Sequence, residues 1–183
     1  MTRYSLSAVG GDRPGIVAAL TGSLAEHGCN LQDSTMATLQ GQFAVVLIVS
    51  APDTTSAIDL RDALRAAEGE FDLVIAVREL HEASATTATE GQGEAASAWF
   101  VNVHGADRPG IVHGITSAIA ALGGNIVDLS THLVGDPPDE VYTLAIRITV
   151  PVERADQVVA RVEAAATELG VHCAVRPDDA DML

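Results

Sequence analysis

The sequence predicts an α+β chain made of two copies of one β-α-β-β-α-β unit. Three observations carry that expectation: a hexapeptide repeated letter for letter, a hydrophobic period that switches between 2 and 3.6 within each copy, and a polar segment between the copies. Asp12-Arg13-Pro14-Gly15-Ile16-Val17 recurs as Asp107-Arg108-Pro109-Gly110-Ile111-Val112, an offset of 95 (107 − 12). At that offset Tyr4 meets Trp99, Gly28 meets Gly123, Asn30 meets Asn125 and Asp33 meets Asp128. Further along, Phe43 to Pro52 aligns with Tyr142 to Pro151 at an offset of 99, so the second copy has gained four residues (99 − 95). They fall around Gly135-Asp136-Pro137-Pro138-Asp139, the composition of a hairpin loop.

In each copy the first strand is read from alternation: Tyr4, Leu6 and Ala8 in one, Trp99, Val101 and Val103 in the other, with polar residues between in the first copy. Asp12 is expected to cap the helix that follows and Pro14 to occupy its first turn, where a missing N–H costs nothing. Ile16, Leu20 and Leu24, matched by Ile111, Ile115 and Ile119, recur every fourth residue, and Gly28 or Gly123 closes the helix. Two strands follow at about 30–39 and 42–50, split by Gln40-Gly41, then a helix from about Ser56 to Ala67 and a last strand from about Leu73 to Leu80. That order is the ferredoxin-like arrangement: a four-stranded antiparallel sheet with both helices on one face.

The expected domains are 1–80 and 98–177, joined by a flexible linker over 81–97 that lacks any large apolar residue, with an acidic tail at 178–183. The sheet face away from the helices differs between copies. Ala44, Val46 and Ile48 in the first correspond to Thr143, Ala145 and Arg147 in the second. A strand apolar on both faces predicts burial on both, so the first domain is expected to pack its open face against another sheet, in a homodimer.

Composition excludes several function classes. The chain of 183 residues carries 10 Lys+Arg against 25 Asp+Glu, a net charge of −15. Every basic residue is an arginine standing alone, so direct nucleic-acid binding is not expected. No apolar stretch is long enough for a membrane span or the core of a signal peptide, so a cytoplasmic protein with no membrane partner is expected. Cys29 and Cys173 read as structural thiols. His104, His113 and His132 have Val9, Ala18 and Ala37 at the matching places of the first copy; no spacing fixes their convergence, and no metal site is expected. Asp59, Asp62, Glu163 and Glu168 read as solvated helix faces. With no nucleophile–base pair, phosphate loop or cofactor motif, neither catalysis nor a cofactor is expected.

The chemistry that remains lies in the repeated turn. Asp12-Arg13-Pro14-Gly15 leads into a helix N-terminus, whose free N–H groups and dipole attract an anion such as a carboxylate. The amides of Gly15, Ile16 and Val17 are placed to receive it, and Asn30, past the other end of the helix, supplies both donors and an acceptor for an amino acid. A purely structural reading stands beside this: Asp caps, Pro-Gly turns, and Asn relieves a left-handed helix end.

Asp12 to Val17 with Gly28, Asn30 and Leu31, and Asp107 to Val112 with Gly123, Asn125 and Ile126, resemble the D-R-P-G-[IV]-[VL] turn and G-x-N-[IL] of ACT domains, amino-acid-sensing modules of this same element order. The tandem pair is most similar to the glycine cleavage system transcriptional repressor family. The resemblance implies side-by-side pairing of domains, with a small amino acid held between the turn of one and its neighbour. It nominates Asp12, Gly15, Ile16, Asn30 and Leu31, and Asp107, Gly110, Ile111, Asn125 and Ile126. Serine-binding members carry His-x-Asn before Arg-Pro-Gly; here Gly10-Gly11-Asp12 and Gly105-Ala106-Asp107 stand instead. The implied role is non-catalytic, regulation through a protein partner: a DNA-binding activator, or an enzyme served by a dissociated regulatory subunit. A module serving only dimerisation is the other alternative.

Overall fold

The computed structural model describes residues 1–81, 96–136 and 140–178, which form two compact units, one to each sequence copy. The first unit runs β1 (Thr2–Gly11), α1 (Ile16–Glu26), β2 (Asn30–Leu39), β3 (Gln42–Ala51), α2 (Ala57–Ala63), α3 (Arg65–Phe71) and β4 (Val74–Leu80). The second runs β5 (Ala96–Gly105), α4 (Ile111–Ala120), β6 (Asn125–Val134), β7 (Val141–Pro151), a 3₁₀ turn over Val152–Arg154, α5 (Ala155–Leu169) and β8 (His172–Pro177). The strand orders are β2-β3-β1-β4 and β6-β7-β5-β8, antiparallel throughout. Two ferredoxin-like units are therefore present. Most of the linker read at 81–97, the Pro137-Pro138-Asp139 loop and tail residues 179–183 lie outside the described residues.

Alternation builds each sheet as the sequence indicates. Tyr4, Leu6 and Ala8 are buried, as are Phe43, Val45, Leu47 and Val49 opposite them, and α1 buries Ile16, Leu20 and Leu24 against this face. The second core repeats the plan with Val101, Val103, Leu144, Ile146 and Ile148 beneath Ile111, Ile115 and Ile119. Side chains alternate faces with period two, so a one-residue slip in register would turn every one of these groups into water. Among the described residues no helix is long and apolar enough to cross a membrane.

One element reading needs correction, and one exposed acid has a further role. The helix read over 56–67 is two helices that continue to Phe71, hinged at Leu64, whereas its counterpart α5 is one helix of 15 residues. Gly69 lies inside α3 because a helix tolerates glycine at a cost of about 1 kcal/mol when its neighbours pack. Asp59, exposed as the sequence indicates, also closes a capping box: Ser56 accepts from the Asp59 N–H, and the Asp59 carboxylate accepts from the Ser56 N–H at 2.8 Å. That carboxyl is held below its ordinary value by the Ser56 hydrogen bonds.

Candidate functional site

The repeated turn has a different local logic from the one read in the sequence. Helix α1 begins at Ile16 with Gly15 as its N-cap residue, at φ 99° and ψ −15°, and no side chain caps it. Asp12 is therefore not the cap, and Pro14 precedes the helix rather than occupying its first turn. Gly110 repeats this at φ 96° and ψ −5°, again without a side-chain cap, so Asp107 does not cap α4 either. The physical reason is backbone handedness: the chain enters each helix through a left-handed residue, which places the preceding aspartate outside the reach of the first-turn amides. A Cβ built on Gly15 would lie 3.5 Å from Phe71 Cζ, an ordinary contact, and one on Gly110 would meet nothing within 4 Å. Conformation, not crowding, requires glycine at both.

An uncapped N-terminus leaves first-turn N–H groups with no side-chain partner, the arrangement that accepts an anion. The Gly15 carbonyl accepts the first helical bond from Ala19 at 2.9 Å, and Gly110 does the same for Gly114 at 2.9 Å. In the first unit the Asp12 N–H also donates to the Gly41 carbonyl at 2.9 Å, tying the turn to the β2–β3 hairpin. The side chains of Ile16 and Ile111 are buried at 1% and 2% exposure, so only their backbone amides can face a ligand. Asp12 and Asp107 are exposed.

Asn30 and Leu31 lie elsewhere. Helix α1 ends in a Schellman motif, with the Gly28 N–H donating to the Ala25 carbonyl and the Cys29 N–H to that of Leu24, both at 3.0 Å. Gly28, at φ 69°, is the left-handed residue, which frees Asn30 from that duty. Asn30 opens β2 opposite Ser50, exposed, and Leu31 beside it is 44% exposed. Asn125 opens β6 opposite Thr149 in the same way, with Ile126 half-buried. Within each unit the structure thus gathers Asp12, Gly15 and Ile16 (Asp107, Gly110 and Ile111) at one end of the first helix. It sets Asn30 and Leu31 (Asn125 and Ile126) at the other, about 16 Å away along 11 residues of α1. No single unit brings the five residues together.

Cys29 and Cys173 are free thiols, each partly buried, and burial raises both. His104 lies within β5, His113 on α4 and His132 on β6.

The sequence profile of the ACT domain matches residues 5–78 and 99–176. The glycine cleavage system transcriptional repressor of Escherichia coli K12 is 32% identical over 145 residues, covering 79% of this chain and 72% of that protein. A crystal structure of a protein of unknown function from Galdieria sulphuraria is 25% identical, with a TM-score of 0.80 over 96% of this chain and 98% of that one. Another crystal structure, provisionally assigned as a glycine cleavage system transcriptional repressor, is 20% identical with a TM-score of 0.64 over 96% of each chain.

Proposed function

Because the chain belongs to the ACT domain family, as a tandem member related to the glycine cleavage system transcriptional repressors, we propose that this regulatory protein is a non-catalytic amino-acid sensor that acts through a protein partner. The observation that carries the reading is the split of each candidate set between the two ends of one helix, in both copies. A free amino acid spans only a few ångströms and cannot touch both ends of α1. On this reading the helix N-terminus comes from one domain and the Asn-Leu or Asn-Ile segment from another.

In that assembly the ligand carboxylate meets the amides of Gly15, Ile16 and Val17, or their counterparts at 110–112, while Asn30 or Asn125 fixes the ammonium through its side-chain carbonyl. Asp12 or Asp107, free of any capping duty, is available to the ammonium as well. A ligand so placed stabilises one domain pairing over another, and shifts affinity for the partner by no more than its own preference between the two. With a net charge of −15, regulation proceeds through protein contact rather than DNA, and a DNA-binding activator of glycine cleavage genes is the partner proposed. The exposed apolar side chains on the far face of the first sheet, Val9 at 47%, Val46 at 41% and Val74 at 76%, support a homodimer contact there.

The test is a thermal-shift screen of the intact protein against single amino acids at millimolar concentration. A ligand at a hundred times its Kd adds about 2.7 kcal/mol, several degrees of Tm. The reading holds if one small amino acid produces that shift and Asn30→Ala or Asn125→Ala removes it. A flat screen overturns the sensor. Light scattering that gives one protomer mass for wild type overturns the homodimer; a dimer dissociated by Val46→Asp supports it.

A further inference from the structure

The sheet face turned away from the helices carries, in the second unit, a row of imidazoles that the first unit lacks. His172, His104, Thr143 and His132 stand directly opposite one another across β8, β5, β7 and β6. Opposed residues of antiparallel strands project to the same side, and burial of the alternating Val101 and Val103 makes this the outer side. The same row in the first unit reads Val74, Val9, Ala44 and Ala37. Duplication therefore left two apolar strand positions in one copy where the other holds a cross-strand histidine pair.

The His104 and His172 rings lie face to face, with centroids 5.1 Å apart and planes 20° apart. Both residues are exposed. Among the described residues the rings of His27 and His113 each have a hydrogen-bond partner, whereas none is formed by the His104 or His172 ring. Two imidazoles of adjacent strands, with unengaged nitrogens, are close enough to share one ion once the rings turn toward it. A tetrahedral ion bound at 2.0–2.1 Å lies in the plane of each imidazole and needs its two nitrogens about 3.3 Å apart, so binding turns the rings out of their stack, a rotamer change open to exposed side chains on Cβ atoms about 5 Å apart.

We propose that His104 and His172 form a two-histidine site for a borderline divalent transition metal, Zn²⁺ or Ni²⁺, with water in the remaining positions. Imidazole is a preferred ligand for these ions, and a chain of net charge −15 concentrates cations at its surface. His132 stands outside the chelate, two strands or about 10 Å from His104 with Thr143 between. Among the described residues no group of three or more His, Cys, Asp or Glu converges on one point, so the site is a two-residue one, weaker than closed structural zinc sites.

The experiment uses the untagged full-length protein and Zn²⁺ or Ni²⁺ alone. Equilibrium dialysis is expected to retain about one equivalent of metal per chain. In NMR spectra Zn²⁺ is expected to move the His104 and His172 imidazole resonances together and leave those of His27 and His113 in place. His104→Val and His172→Val borrow the valines that the first unit carries in the same row, so the fold accepts them. Each is expected to abolish retention, while His132→Ala keeps it. No retained metal in wild type, retention undiminished in the double valine variant, loss in His132→Ala, or resonance shifts confined to other histidines would each overturn the assignment. Should a valine variant fail to fold, the wild-type resonances decide the matter.

Discussion

Gly110→Ala isolates the cost of the left-handed entry into the second helix. Gly110 sits at φ 96° and ψ −5°, and a Cβ there would meet no atom within 4 Å. Packing therefore contributes nothing, and the whole effect is backbone strain, about 1–2 kcal/mol for an L-residue held left-handed. The chain has one tryptophan, Trp99, in β5 of the same unit, half-buried with its Nε1 donating to Ser97 Oγ at 2.8 Å. Its fluorescence reports unfolding of the unit that carries the substitution. With a urea m-value of about 1 kcal/mol per molar for a domain this small, the midpoint should fall by about 1–2 M with the slope unchanged. A midpoint within about 0.3 M of wild type would refute the left-handed N-cap, because no relaxation of a side chain can remove a penalty that resides in φ.

Gly22→Ala tests the opposite case: Gly22 lies inside α1 with nothing within 4 Å of a built Cβ, so circular dichroism during urea unfolding should show a gain of up to about 1 kcal/mol. Ser56→Ala removes the hydroxyl that caps α2 and should cost about 1 kcal/mol in the same assay. The Asp59 carboxyl is lowered by its Ser56 bonds, so its contribution is complete above the ordinary value of 3.8 and is lost as pH falls through the lowered native value. The difference in stability between Ser56→Ala and wild type should therefore shrink in unfolding curves taken at successively lower pH below 4. Burial, with a smaller contribution from Glu163, pushes the Cys173 thiol from 9.0 up to about 11, which lowers its thiolate fraction at pH 8 about a hundredfold. Timed iodoacetamide labelling read by mass spectrometry should find Cys173 far slower than a free thiol, and labelling at the free-thiol rate would show that it is not buried.

The sequence carried the architecture because two independent periodicities had to agree twice. Ile16, Leu20 and Leu24 mark a buried stripe only on a helix, and Tyr4, Leu6 and Ala8 only on a strand, and their counterparts repeat both patterns. What stayed hidden depends on geometry that composition does not encode. Aspartate before Pro-Gly fits a capping role, yet the left-handed Gly15 removes it, and φ at a glycine cannot be read from residue type. The hinge at Leu64 arises within a helical pattern that continues past it. The pairing of His104 with His172 joins positions 68 residues apart (172 − 104) through sheet register, for which no short spacing motif exists. The candidate residues are nominated as a set, and their division between the two ends of α1 is already legible, since Asn30 falls past the far end of a helix that begins after Gly15.

The two copies diverge on one face and agree on the other. Facing the helices, Leu6, Ala8, Val45, Leu47 and Val49 are matched by Val101, Val103, Leu144, Ile146 and Ile148, all buried. Facing away, the row Asp33, Ile48, Ser5 and Arg78 becomes Asp128, Arg147, Phe100 and Arg176. There Arg147 pairs with Asp178 at 2.9 Å, and Arg176 lies 5.3 Å over the Phe100 ring. A core tolerates little change in volume, so it holds each copy to the same fold, whereas an outer face answers only to what touches it. The retained turns give both domains the same left-handed helix entry, while the outer faces differ, apolar in one and carrying arginine and histidine in the other. Changing that row in one domain should therefore leave the core, and the uncapped helix start, as they are.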